Sequence, residues 1–292
     1  MIVAKGGLLT TVQDFGRWGY QSFGVSVAGP MDRISHRFAN LLVGNSPSAA
    51  GLEITLLGPD LEFQEDVRCA VAGAEFEIFV DDNRMPLNAA WIVPKGAHLR
   101  FGERRRGARA YLAIAGGLDV PQLLGSRATH LATGMGGYRG RHLQAGDRLE
   151  IGQASSTQLS RMHQIQSVVS LPSKNIRLRV ILGPQDQMFS KEALLTFQSS
   201  RYQVSSESNR MGYRLLGPSI ASDKADQLLS DATPMGSIQV PASGKPIILM
   251  ADGQTAGGYP KIATVITADL PLAGQLMPGD WITFDVCDRE TA

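Results

Sequence analysis

The sequence predicts a mainly β protein with few helices, organised as two similar units in tandem. Three observations carry that expectation. Glycine and proline, 32 and 15 of 292 residues, punctuate the chain often enough to favour turns over long helices. Short apolar or alternating runs lie between turn residues and read as strands, among them WIVP (91–94), AYLAIA (110–115), RLRVIL (177–182) and WITFDV (281–286). Finally, three segments recur in the same order: ITLLGPDLEF (54–63) with RVILGPQDQMF (179–189), AIAGG (113–117) with LMADG (249–253), and LQAGDRLEIG (143–152) with LMPGDWITFD (276–285). Their separations, about 125, 136 and 133 residues, drift only as far as loop insertions allow, which points to a duplicated unit.

The first element with a clear periodicity is a helix near 31–43. Met31, Ile34, Phe38, Leu41 and Leu42 recur at helical spacing, and Gly44-Asn45 supplies a left-handed stop. Its apolar face is expected to cover the first β unit, leaving His36 on the solvated face. The run ERRRG (103–107) reads as a hairpin tip, with an anion or partner contact as the sharper alternative. Residues 153–175, rich in Ser and Gln and closed by Pro172, read as a connection with little core of its own. The expected subdomains are therefore 1–160 and 175–292. A second helix is expected to start with Asp186 as N-cap and to continue through Lys191, Glu192, Ala193 and Leu194.

Composition narrows the function. Lys and Arg total 28 against 27 Asp and Glu, so no global field draws the chain to nucleic acid or to an anionic membrane, and a small or uncharged partner fits better. Cys69 and Cys287 are too few for a disulfide framework and read as small hydrophobes in a reducing cytosol. The first residues lack a basic segment followed by an apolar one, and no apolar run approaches the ~20 residues that span a bilayer. A cytoplasmic chain with neither export signal nor anchor is the expectation.

Familiar chemistries fail on spacing. The glycine-rich stretch DGQTAGGYP (252–260) lacks the G-x-x-x-x-G-K-[ST] of a phosphate loop, because Tyr259-Pro260 follow Gly258. In GMGGYRG (134–140), Arg139 stands where a dinucleotide fingerprint needs its third glycine. GVSVAG (24–29) places Ala28 where a nucleophile elbow needs glycine. The histidines, at 36, 98, 130, 142 and 163, show no H-x-x-x-H or cysteine-paired spacing, so no metal site is expected.

Four stretches together resemble a known family: GLLTTVQDFGRWGYQSFGVSVAGPMD (7–32), ANLLVGN (39–45), NRMGYRLLG (209–217) and the long run from Ile238 to Asp280. On them the chain is identified as a member of the family of C-type 5-oxoprolinase subunits, also called allophanate hydrolase subunit two or biotin-dependent carboxyltransferase-like. Trp18 and Pro30 depart from its usual N-terminal signature, which touches the shape of that loop rather than the fold. The resemblance implies two related cyclophilin-like β-barrel subdomains, in agreement with the repeat. It also implies partners: a B-type, kinase inhibitor-like chain and a third 5-oxoprolinase subunit, which together open 5-oxoproline to glutamate with ATP. Two alternatives share the fold. One is the carboxyltransferase half of a urea carboxylase or allophanate hydrolase-type system, and the other is a non-catalytic regulator that binds a kinase inhibitor-like partner. No Met-Lys pair occurs, so any biotin would arrive on another protein, and ATP is expected with or on the partner subunits.

Within that frame Gln254, Thr255, Gly257, Gly258 and Tyr259 are the candidate wall of a polar cleft, since an uncharged amide side chain both donates to and accepts from an amide-like substrate. The bland alternative is a tight inter-strand loop whose glycines serve backbone geometry. A carboxylate substrate needs a cation, for which Arg17 and Arg210 are the candidates; each is equally readable as a brace within the fold. Asp269 joins Gln254 as a candidate catalytic group, whereas Asp32 reads as a first-turn carboxylate at a helix start.

Overall fold

The computed structural model describes residues 1–154, 171–172, 176–222, 228–288 and 290. Most of the connection expected at 153–175 lies outside the described residues. The chain divides into two compact units, Met1–Arg17 with Ala28–Leu171, and Trp18–Val27 with Pro172–Ala292. The loop 18–27 thus groups with the second unit, not with the residues on either side of it.

In the first unit β1 (Ile2–Lys5), β2 (Leu9–Gln13), β3 (Gly51–Thr55), β4 (Asp60–Glu62), β5 (Val67–Val80), β6 (Asn83–Met85), β7 (Ala90–Val93) and β8 (His98–Ile114) form one eight-stranded antiparallel sheet. Its spine is the pair of long strands β5 and β8, opposed from Cys69↔Ile114 to Val80↔Leu99. The register slips three times between Gly73 and Ile78. Gly73 takes a φ of 95° at the first slip, a conformation that costs little without a Cβ. Such bulges increase the local bend and twist, and the sheet curls into a half-barrel. Leu52, Ile54, Cys69, Val71, Leu99, Leu112 and Ile114 fill its core. A small ladder of β9 (Leu118–Asp119) and β10 (Glu150–Ile151) completes the unit.

Two expectations change here. ERRRG is not a hairpin tip but the middle of β8, where Arg105 pairs with Glu77 at 2.8 Å and Arg106 with Glu75 at 2.9 Å across the ladder. Opposite charges on a solvent-facing ribbon stabilise pairing without apolar alternation, so the hydrophobic pattern does not reveal the strand. The helix α1 (Arg33–Leu42) forms as expected, with Asp32 capping it by accepting the Ser35 N–H at 2.9 Å. Phe38, Ala39, Leu42 and Val43 lie on Ala70, Ala72, Ala113 and Tyr111, the alanines allowing close approach. His36, however, is buried rather than solvated, and Ile34 is exposed. The imidazole Nε2 donates to the Gln13 carbonyl at 3.1 Å, and the Asn40 amide donates to Ala49 O at 3.0 Å. Backbone acceptors in the interior therefore draw the polar side of the helix inward.

The second unit is a closed barrel. β11 (Ile176–Leu182), β12 (Tyr202–Val204), β13 (Gly212–Leu216), β15 (Ser237–Gln239), β16 (Ile247–Leu249), β18 (Lys261–Val265) and β19 (Trp281–Val286) join in the order β11-β18-β15-β16-β13-β12-β19. Closure removes free sheet edges. β14 (Asp231–Ala232) and β17 (Ala256–Gly257) form a separate two-stranded ladder. Along β11 the alternation is clean: Ile176, Leu178 and Val180 are buried while Arg177 and Arg179 face out. The helix expected from Asp186 begins later. Asp186–Met188 makes a single 3-10 turn, buried Phe189 follows, and extended Ser190 caps α2 (Lys191–Ser199) by accepting the Ala193 N–H at 3.1 Å. Phe197 of α2 stacks on Phe284 with ring centres 4.5 Å apart. A short α3 (Leu270–Gly274) precedes β19.

Two of the three recurring pairs form matching turns. Gln144 N–H donates to the Asp147 carboxylate at 2.7 Å, and Met277 N–H to the Asp280 carboxylate at 2.9 Å. Gly146 and Gly279 adopt φ of 90° and 93° in those two turns, the left-handed geometry that glycine supplies. Likewise Gly117 N–H donates to Ile114 O and Gly253 N–H to Met250 O. Among the described residues no helix is long and apolar enough to cross a membrane.

Candidate functional site

The glycine-rich stretch 252–260 is held from behind by a buried ion pair. Arg210 and Asp252, 3% and 1% exposed, meet through Nη2···Oδ1 at 2.8 Å and Nε···Oδ2 at 3.1 Å. Backbone bonds reinforce the clamp, Asp252 N–H donating to Arg210 O and Met250 N–H to Met211 O. From the loop 18–27, Ser26 Oγ donates to Gly253 O at 2.8 Å. Next, Thr233 fixes the backbone of the following two residues: its Oγ1 donates to Gln254 O at 2.6 Å and its N–H to Thr255 O at 3.0 Å.

The remainder of the loop enters the β14–β17 ladder, where Asp231 lies opposite Gly257. Buried Lys261 ties that ladder to the barrel by donating to Asp231 Oδ2 at 2.5 Å and to Ala232 O at 2.6 Å. The ammonium holds the Asp231 carboxyl below its ordinary pKa. The loop runs through β17 into β18 rather than into a helix, so it does not form the strand-loop-helix arrangement of a phosphate loop.

What the loop does border is a cleft of about 400 Å³ on the second unit, lined by Asn209, Met211, Arg214, Gln239, Gln254 and Tyr259 among others. The volume suits a small molecule. Two primary amides of its lining, Gln239 and Gln254, converge on Gly257. A Cβ built on Gly257 would stand 2.5 Å from Gln254 Nε2 and 2.8 Å from Gln239 Nε2, so the missing side chain is what lets both amides sit there. Gln239 Nε2 donates to Tyr259 O at 3.3 Å, which orients it.

The predicted residues thus separate. Gln254 and Tyr259 line the cleft, and Gly257 backs it. Thr255 and Gly258 share the loop without lining the cleft. Arg210 lies in the buried pair behind the loop. Arg17 belongs to the first unit, where it is 1% exposed and donates to Ala128 O. Asp269 is bound by Arg179 through two side-chain bonds, at 2.6 and 3.1 Å, and also accepts the Arg179 N–H at 2.8 Å. That carboxylate ties the turn before α3 to β11 and lines no part of the cleft. Gln239, Asn209 and Arg214 also line the cleft; all three lie inside the family signatures, where nothing in the local pattern distinguishes them.

The N-terminal signature builds a different feature, a buried polar network in the first unit. Glu53 accepts from Met31 N–H and from Tyr111 OH, each at 2.8 Å, and Tyr111 OH accepts from Asp32 N–H at 2.7 Å. Asp14 accepts from Ser126 Oγ at 2.5 Å and from Arg127 N–H at 2.6 Å. Burial, with Glu53 beside it, pushes the Tyr111 phenol well above its ordinary pKa, which keeps it a neutral donor. Among the described residues no group of three or more His, Cys, Asp or Glu is placed to hold a metal.

Residues 23–286, which include the barrel and its cleft, match the model of the carboxyltransferase domain, subdomains A and B, and the chain belongs to that family. Among named relatives it is 42% identical over 292 residues to the C-type 5-oxoprolinase subunit of Escherichia coli (strain K12), spanning 99% of this chain and 92% of that one. The C-type 5-oxoprolinase subunit of Haemophilus influenzae is 38% identical over 286 residues, spanning 97% and 89%. Among solved structures, the K. lactis urea amidolyase superposes with a TM-score of 0.89 at 35% identity, over 98% of this chain but 18% of that one.

Proposed function

We propose that the chain is the C-type subunit of a cytoplasmic, ATP-dependent 5-oxoprolinase that opens the 5-oxoproline lactam to L-glutamate. The observation that carries this reading is near full-length similarity to two proteins bearing that name. In the reaction the ring C–N bond breaks, water supplies oxygen to the carbonyl carbon, and the ring nitrogen gains a proton. A lactam is a poor electrophile, so ATP must drive the step. Because the glycine loop leads into a strand and not into a helix, this reading gives ATP to the partners, a B-type chain and a third subunit.

Under this reading the cleft receives the amide. Gln254 and Gln239 each present a donor and an acceptor, which matches the C=O and N–H of a lactam without burying charge. Positioning by such neutral groups lets water approach the carbonyl carbon from a fixed direction. A second reading is favoured by the urea amidolyase likeness: urea is also an amide, and the same cleft would accept it in carboxyl transfer from a biotin borne by another protein.

Coexpression with the two partner subunits and assay of glutamate release from 5-oxoproline with ATP tests the proposal. Glutamate formation that falls at least about tenfold in Gln254→Ala supports it. A folded complex that releases no glutamate, yet consumes carboxybiotin with urea, replaces it with the second reading.

A further inference from the structure

We propose that Arg214 is the cation that recognises the substrate carboxylate in the cleft, an inference that rests on the 5-oxoproline reading. Such a substrate carries its amide and its carboxylate on one small ring, so the group that binds the carboxylate must border the cleft that binds the amide. The two arginines that sequence reasoning favoured do not line it: Arg17 is buried and donates to Ala128 O, and Arg210 is committed to Asp252 behind the loop. Among the described residues lining the 400 Å³ cleft, Arg214 is the one cationic side chain.

Its setting suits a ligand contact. On β13 the flanking Tyr213 and Leu215 are buried in the barrel, so alternation turns Arg214 outward. Its backbone is fixed by Ser205 N–H donating to Arg214 O at 2.9 Å and by Arg214 N–H donating to Ser208 Oγ at 3.1 Å. A hydrogen-bonded strand therefore carries an exposed guanidinium. That guanidinium is 59% exposed, and its ion pair with Glu207, itself 77% exposed, is long at 3.8 Å. Long, solvated pairs of this kind are weak, and a substrate carboxylate arriving in bidentate geometry displaces one readily. Arg214 also borders an adjoining cleft of about 210 Å³ lined by Lys245 and Glu207, and the carboxylate end of the ligand would sit where the two clefts share Arg214, Pro241, Ser243 and Ile247.

The test uses the reconstituted complex with Arg214→Gln and Arg214→Lys, measuring KM and kcat for 5-oxoproline and the inhibition constant of 2-pyrrolidinone, the same ring without the carboxylate. The expected result is a rise of about 10- to 100-fold in KM for Arg214→Gln, a smaller change in kcat, and partial recovery in Arg214→Lys. The inhibition constant of 2-pyrrolidinone should stay within about twofold of wild type, because it has no carboxylate to lose. An active complex in which Arg214→Gln keeps the wild-type KM overturns the assignment. So does an equal rise in both constants, which would make Arg214 a shaper of the cleft. A wild-type complex that does not turn over 5-oxoproline instead removes the functional reading on which the assignment rests.

Discussion

Replacing Arg210 with methionine separates a structural brace from a substrate cation. The Arg210–Asp252 pair is bidentate and almost entirely out of water. Deleting the guanidinium leaves a carboxylate 1% exposed without its counter-charge, which costs about 3–5 kcal/mol. For a barrel unit of roughly 130 residues that lowers the unfolding midpoint by about 10–20 °C. A companion Asp252→Leu in the same chain removes the stranded charge as well. The double variant should therefore lose less than the sum of the two single losses, with a coupling of about 2 kcal/mol or more. Thermal unfolding followed by circular dichroism reads both quantities, and glutamate release from the complex supplies KM in parallel. If Arg210→Met melts within about 2 °C of wild type while KM for 5-oxoproline rises about tenfold, the guanidinium serves the ligand and the clamp reasoning is refuted.

Two other outcomes are expected. Burial holds the His36 imidazole below its ordinary pKa of 6.5, so the unfolded chain takes up a proton before the folded one does. Stability should therefore be full above about pH 6.5 and fall below it, by up to about 1.4 kcal/mol per pH unit, and His36→Gln should flatten that slope; identical slopes between about pH 7 and pH 5 in denaturant titrations would show that His36 is not the source. Gly257→Ala places a methyl against both lining amides, which swing aside because they are flexible ends, so the midpoint should move by only a few degrees while KM rises about fivefold or more. An unchanged KM in that variant would mean that the two amides do not meet the substrate.

How much of this was legible in advance depended on range. The helix start at Asp32, the glycine stop after α1 and the paired Gly-Asp turns were readable, because each arises from contacts among residues a few positions apart, and the strands around 110–115 and 177–182 were readable from their own apolar pattern although their pairing partners are distant. His36 was misplaced for the opposite reason. Its face of the helix looks polar in isolation, and the groups that receive the ring, the Gln13 carbonyl with Phe15 and Tyr111, lie 23, 21 and 75 positions away. The basic run of β8 was hidden by its partners Glu75 and Glu77, about 30 positions upstream, which stabilise a strand that the apolar pattern does not mark.

The sequence alone determined the β class, the duplicated turns, the family and the loop to inspect, since period, capping and turn chemistry act locally. Tertiary structure decided which polar groups meet. Arg214 on β13, Gln239 on β15 and Gln254 after β16 border one cleft because strand pairing sets them side by side around a closed barrel. The same folding placed Arg210 against Asp252, across 42 positions, and so removed from the surface an arginine that by sequence looks as available as Arg214. An arginine's role follows from the charge beside it and the water it loses, and both are set only once the chain has closed around it.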